Sequence, residues 1–314
     1  METAPAWYAE SMPDLSEMTA VVTGASGGIG SEVARGLASK GAHVVLAVRS
    51  VERGEAAASA ILATSPRASL EVMALDLADL ASVRRFVEAA AARLDTRDLL
   101  VNNAGVASSS LQHTADGFEL DFGTNHLGHF ALTGLLLPTL IASRKARVIT
   151  VTSLAHRKGR IDFDNLDGAR GYSAGRAYAQ SKLAGVVFAY ELQRRLSDAG
   201  SAVLSVACHP GWASTNMTLG SPQEHARLRD RPLRLLARRL APTAARGARP
   251  ILHAATSPDV RGGDFIGPGG RFEVWGNPTR VRSSDPTCDE DVARTLWQVS
   301  EHMTGVRYAL TVSP

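Results

Sequence analysis

Residues 19–30 read "TAVVTGASGGIG". The first five, Thr19–Thr23, are apolar or β-branched and too few for a helix, so they predict a strand. The strand runs straight into glycines at 24, 28 and 30. That spacing, G-x-x-x-G-x-G, differs from the commoner G-x-G-x-x-G, but the physics is shared. Glycines let the chain turn tightly off a strand and let an anion approach the backbone. The helix that follows offers free N–H groups and the positive end of its dipole. A ligand-free strand-to-helix turn would use the same residues. Position immediately after the first strand favours a pyrophosphate cradle, with Thr23, Gly24, Ser26, Gly28, Ile29 and Gly30 as candidate contacts.

Outward from this stretch the same alternation repeats. "HVVLAV" (43–48), "LEVMAL" (70–75), "LLVN" (99–102), "RVITVTS" (147–153) and "AVLSVAC" (202–208) are short, near-continuous apolar runs. Strands of that kind indicate a parallel sheet buried on both faces. Helical patterns cover 30–39, 52–63, 82–93 and 174–197 between them. The expected architecture is α/β: a single doubly wound Rossmann-type domain over 1–314, with a parallel sheet of about seven strands and helices on both faces. Two irregular stretches, about 157–175 and 212–250, read as loops or lids on the substrate side.

Composition narrows the function. The chain has 314 residues, is 45% hydrophobic and carries a formal net charge of +3. That is an ordinary globular balance, too mild to argue for nucleic acid. The N-terminal stretch has acids where a signal peptide has bases, and no run reaches 18 apolar residues. A soluble, cytoplasmic setting without a transmembrane segment is expected. Cys208 and Cys288 lie far apart and read as reduced thiols. His126 and His129 are three apart, without the further ligands of a metal pattern, so no metal site is expected. There is no G-x-S-x-G of a serine hydrolase.

The second strand ends in Val48 and Arg49. A strand-end acid in this region would hold the ribose 2′-hydroxyl of NAD(H), whereas Arg suits the 2′-phosphate of NADP(H). Arg49 therefore argues for NADP(H) over NAD(H), against the plainer reading of an Arg at a solvent-exposed strand end.

With these parts in place the chain resembles a short-chain dehydrogenase/reductase. The likeness rests on "TGASGGIG" (23–30), Asp76–Leu77, "NNAG" (102–105), "TNHLGHF" (124–130), "VTS" ending at Ser153, "YAQSK" (178–182) and "HPGWAST" (209–215). "AHRKGRIDFDN" (155–165), "AYELQRRL" (189–196) and "LWQVSEHMTGV" (296–306) are similar to the branch of retinol-dehydrogenase-like and protochlorophyllide-reductase-like enzymes, which usually use NADPH. Three features depart from the pattern. Ser26–Gly27 stands where the branch often has Asn–Ser. The gap from Ser153 to Tyr178 is longer than in many members. The membrane anchor of vertebrate retinol dehydrogenases has no counterpart, which argues against a retinoid role.

The resemblance implies a catalytic set of Asn125, Ser153, Tyr178 and Lys182. Tyr178 would exchange a proton with the substrate oxygen as hydride moves. Lys182, at i+4 on the same helix face, would favour the phenolate and bind the nicotinamide ribose. Ser153, at a strand's C-terminal end, would donate to the oxygen. Asn125 would hold a water on a proton path. On the cofactor, Asp76 and Leu77 would meet the adenine, and Asn103, Ala104 and Gly105 the adenine-side ribose. Pro210, Gly211 and Thr215 would shape the nicotinamide pocket. Each residue has a plainer reading as a cap, turn or satisfied core polar group; their joint order favours the site.

The expected activity is NADP(H)-dependent hydride transfer to or from a small-molecule carbonyl/alcohol substrate, mostly hydrophobic. A catalytically silent dinucleotide sensor, and an epimerase or double-bond reductase on the same fold, remain alternatives. Residues 226–249 carry eight arginines against one acid. Leu233, Leu236, Ala237 and Leu240 fall on one helical face, as in an amphipathic lid helix; a membrane surface or an anionic substrate would fit the same pattern. The resemblance also allows pairing of two copies as a homodimer.

Overall fold

A computed structural model describes residues 11–94, 97–143, 145–211 and 243–310. Eight strands form one sheet: β1 (Thr19–Thr23), β2 (His43–Val48), β3 (Ser69–Ala74), β4 (Leu99–Asn102), β5 (Arg147–Val151), β6 (Leu204–Cys208), β7 (Phe265–Pro268) and β8 (Pro278–Arg280). The spatial order is β3-β2-β1-β4-β5-β6-β7-β8. All neighbours are parallel except β7 and β8. The expectation of about seven strands is one short. β8 escapes a sequence reading because Pro-Thr-Arg is three residues long and has no apolar pattern.

The helices are α1 (Gly28–Ser39), α2 (Val51–Leu62), α3 (Leu80–Arg93), α4 (Leu120–Phe122), α5 (Gly128–Ala142), α6 (Ala174–Asp198), α7 (Ala244–Thr256) and α8 (Glu290–Thr304). Strand side chains alternate between two cores, as the period of two requires. Ala20, Val22, Val44 and Leu46 pack with Val33 and Leu37 of α1, Ile61 of α2 and Ile251 of α7. Val21, Val45, Leu100 and Val148 face the other way, onto Phe86 of α3, Leu136 of α5 and Phe188 of α6. Each fully buried side chain of this size contributes about 1.5–3 kcal/mol before entropy is subtracted.

The order reverses at β1, with β2 on one side and β4 on the other. At such a switch point the loops after β1 and β4 part and leave a crevice at the carboxyl ends of the strands. None of the described helices is long and apolar enough to cross a membrane.

The residues from Arg157 to Ser173 carry no long helix or strand, as expected, but they are anchored. Ile161, Phe163 and Leu166 pack with Leu183 of α6 and Leu296 of α8. The Asp162 N–H donates to Gln180 Oε1 at 2.8 Å. The anticipated lid helix at 232–240 and Thr215 lie outside the described residues. Cys208 and Cys288 are free thiols; burial pushes the Cys208 thiol up.

Candidate active site

One cavity of about 700 Å³ opens over the switch point. Its walls include the turn after β1, the tips of β2 and β4, Ser153 after β5, Tyr178 and Lys182 on α6, and Pro210–Gly211 after β6. Apart from Thr215 and the catalytic-set member Asn125, every candidate named from sequence lines it. Asn125 sits just behind the wall: a Cβ on Gly105 would come within 3.0 Å of both Asn125 Oδ1 and Lys182 Nζ.

The turn after β1 has the shape its glycines allow. Gly24 and Gly28 hold positive φ, 68° and 58°. Gly30 is fixed by close approach, because a Cβ there would lie 2.4 Å from Gly24 O and 2.6 Å from Asn103 Nδ2. α1 begins at Gly28, so its free N–H groups face the cavity. Thr23 locks the turn to the β4 loop. Its hydroxyl accepts from the N–H groups of Asn103 and Ala104, both at 2.9 Å. Asn103 Nδ2 donates back to Thr23 O at 2.8 Å.

His129 connects this lock to Asn125. Its Nδ1 lies 3.1 Å from the Asn125 carbonyl oxygen, which can only accept, so Nδ1 carries the proton. Nε2 then accepts from the Thr23 hydroxyl at 2.9 Å. Burial pushes His129 down to about 4, opposed by the Asn125 carbonyl and aided by Lys182, so the ring is neutral. His126 is a core residue among Phe122, Phe130 and Phe188. Its Nε2 lies 2.8 Å from Ser300 Oγ. Among the described residues no group of three or more His, Cys, Asp or Glu could hold a metal ion.

Asn125 lies in a π-helical stretch, Gly123–Leu127. Its side chain is fully engaged: Nδ2 donates to Val106 O and Ser181 Oγ, each at 2.9 Å, and Oδ1 accepts from Val106 N at 2.7 Å. The plainer reading of Ser153 holds as well, since its hydroxyl caps the turn Leu154–Lys158 by accepting from Ala155 N at 3.2 Å. Ser153 and Tyr178 line the same wall of the cavity.

Tyr178 titrates above its ordinary value. Burial raises it, the Ser153 hydroxyl opposes that, and Asp121 adds to the rise. The expected depression by Lys182 is absent from this balance. Lys182 Nζ lies 5.7 Å from the ring centroid, and Lys182 is itself buried, which lowers it to about 8 against a supporting charge on Asp121.

At the far end of the cavity Arg49 is exposed at the tip of β2. Arg53 joins it from the first turn of α2. Arg53 was not anticipated. The signal was present: Ser50 caps α2 by accepting from Arg53 N, so positions 49 and 53 flank a strand-to-helix turn and face the same opening. Asp76 Oδ1 accepts from Ala78 N at 2.9 Å, which shapes the turn beneath Leu77.

Residues 18–226 match the short chain dehydrogenase family. The chain belongs to that family. Human retinol dehydrogenase 12 is 41% identical over 92% of this chain and 86% of its own. A mycobacterial protein without assigned function (Mycobacterium paratuberculosis) is 40% identical, covers 97% of this chain and 99% of its own, and superposes with a TM-score of 0.80. A metagenomic short-chain oxidoreductase in complex with NADP is 30% identical over 63% of this chain and 84% of its own, with a TM-score of 0.53. This short-chain dehydrogenase is thus an NAD(P)-dependent oxidoreductase, as the sequence motifs implied.

Proposed function

We propose that this short-chain dehydrogenase reduces hydrophobic aldehydes or ketones with NADPH and oxidises the matching alcohols in reverse. The observation that carries the reading is the convergence of Ser153, Tyr178 and Lys182 on the cavity whose other end holds Arg49 and Arg53.

The residues present fit the cofactor. Glycines 24, 28 and 30 and the start of α1 would take the pyrophosphate, Asp76 and Leu77 the adenine, and Asn103–Gly105 the adjoining ribose. Arg49 and Arg53 would take the 2′-phosphate, for which two guanidinium groups are far better suited than for a hydroxyl. The NADP complex of the metagenomic relative supports that choice. When bound, the dinucleotide supplies or accepts the hydride.

The chain's own groups manage the proton and the charge. Burial keeps the proton on Tyr178 at neutral pH, which suits an acid that gives it to the substrate oxygen in reduction. Ser153 donates to the same oxygen as charge builds on it. Lys182, charged below about pH 8, stabilises the phenolate left behind. Asn125 holds the 105–106 loop against α6 through Val106 and Ser181, and its carbonyl accepts from His129 Nδ1. Val106, Ala107, Val151, Leu154 and Ala155 give the substrate side an apolar wall, in keeping with relatives named retinol dehydrogenases.

A panel of long-chain aldehydes, ketones and quinones, followed by loss of NADPH absorbance, tests this. Turnover of apolar carbonyls with NADPH favoured at least about tenfold over NADH is expected. No turnover across the panel, or equal use of the two cofactors, would count against it.

A further inference from the structure

Besides the catalytic and cofactor-binding set above, one hydrogen-bonded cluster joins both sides of the cavity. It is built on Glu273, in the segment between β7 and β8. Glu273 Oε2 lies 3.0 Å from His209 Nε2, and Oε1 accepts from Arg157 at 2.6 Å. His209 is fully buried, against the ring of Phe265. Its Nδ1 accepts from the Gly211 N–H at 3.1 Å, so the ring proton sits on Nε2 and is donated to Glu273. Burial by itself would raise the Glu273 carboxyl, but hydrogen bonds from His209 and Arg157 hold it below its usual range. It is therefore an anion with a partner on each oxygen.

The backbone around Glu273 is held at a cost. Phe272 and Glu273 have φ of 58° and 57°, a region that side-chain-bearing residues rarely occupy. In that conformation the segment presses on the turn after β6. A Cβ on Gly211 would fall 2.6 Å from Val274 O. Arg157, for its part, opens the 157–175 insert, three residues beyond Leu154 of the substrate wall, and also donates to Arg282 O at 3.3 Å.

We propose that Glu273 is a positioning residue for the nicotinamide end of the cavity: it fixes the His209 ring that holds the Gly211 amide, and ties that turn to Arg157 at the start of the substrate insert. The placement of the Pro210–Gly211 turn then depends on the insert, so the substrate side and the hydride side move as one unit. This rests on the cofactor reading given above.

The test uses the full chain carrying Glu273→Ala. The dissociation constant for NADPH should stay within about threefold, because the arginine pair and glycine turn are untouched. NADPH bound to the wild type is expected to show blue-shifted, enhanced nicotinamide emission, and that change should be lost in Glu273→Ala. Turnover should fall about tenfold or more with little change in KM for NADPH, as for a misplaced reacting group. The primary isotope effect from 4-deuterated NADPH should rise. Glu273→Gln keeps an acceptor for His209 but not the ion pair. It should keep the emission and raise KM for the carbonyl substrate. Unchanged emission and turnover in Glu273→Ala would overturn the proposal. If that variant fails to fold, a Glu273→Gln protein with wild-type substrate KM, or without the emission, overturns it instead. A wild-type protein that binds NADPH but reduces nothing ends the reductase reading and leaves the emission test decisive. One that binds no NADPH ends both.

Discussion

The two ends of the cavity are built on opposite principles. At one end Arg49 and Arg53 stand in solvent at a strand tip and a helix start. At the other, Tyr178 and Lys182 are withdrawn from water, and burial has moved both away from their ordinary titration, the phenol up and the amine down to about 8. Exposed cations recognise a fixed anion through charge and geometry alone. Buried titratable groups are tuned for moving a proton. One end should therefore answer to salt and charge removal, the other to pH and to loss of a single hydroxyl.

The sharpest way to break that division is Tyr178→Phe. Removing the phenolic oxygen should lower turnover by about 10³-fold or more, since general acid catalysis alone is worth 10²–10⁴. NADPH affinity by fluorescence titration should not change. A variant that keeps a tenth of wild-type turnover would remove Tyr178 from the chemistry.

At the arginine end the expected effect is smaller and falls on binding. Arg49→Ala and Arg53→Ala should each weaken NADPH about tenfold, and together about a hundredfold, with NADH unaffected. Wild-type NADPH affinity should also drop with added salt, because the pair is exposed. If Arg53→Ala changes NADPH and NADH alike, the residue does not read the 2′-phosphate.

These two regions were unequally legible in the sequence. The glycine turn could be read fully, because backbone reasons dictate Gly24, Gly28 and Gly30 wherever a strand turns into a phosphate-binding helix. Strands β1, β2 and β4 carried their bounds in apolar runs. β8 had no such run, and Arg53 lies past the strand tip, in the first turn of α2. Glu273 could not be found, since its meaning comes from two positive φ angles and from His209, 64 residues away. The reversal at Tyr178 was equally out of reach. Sequence spacing shows that Lys182 shares its helix face, but only the packing shows that both groups are desolvated.

That desolvation gives a pH dependence. Lys182 loses its charge as pH rises through about 8, so kcat/KM for carbonyl reduction should decline with an apparent pKa near that value. A profile flat to pH 10 would show that the ammonium is dispensable.

The smallest expected effect concerns Asp121, one turn before Asn125, which nothing in the sequence marked. It is fully buried, Oδ1 accepts from Ser108 N at 2.9 Å, and Oδ2 has no hydrogen-bond partner among the described residues. Burial raises it to about 7; the Ser108 N–H opposes this, Glu119 adds to it, and Lys182 opposes it. The folded-state value thus lies above the unfolded one near 3.8. At about pH 3 and below both states hold most of the proton and the penalty vanishes. As pH rises toward 7 the unfolded chain releases its proton first, and folding stability declines until the folded state releases its own. Asp121→Asn should be about 1–3 kcal/mol less stable than wild type in urea denaturation at pH 3, because its buried amide is unpartnered, and about 1–3 kcal/mol more stable at pH 8, the swing being the linkage of roughly 4 kcal/mol. A gain independent of pH would refute the titration. The same variant carries a functional cost. The Asp121 carboxylate supports the charge on Lys182, so its removal should shift the basic limb of the activity profile to lower pH. A carboxylate that destabilises the fold while holding the lysine charged is the exchange of stability for function expected at a proton-transfer site.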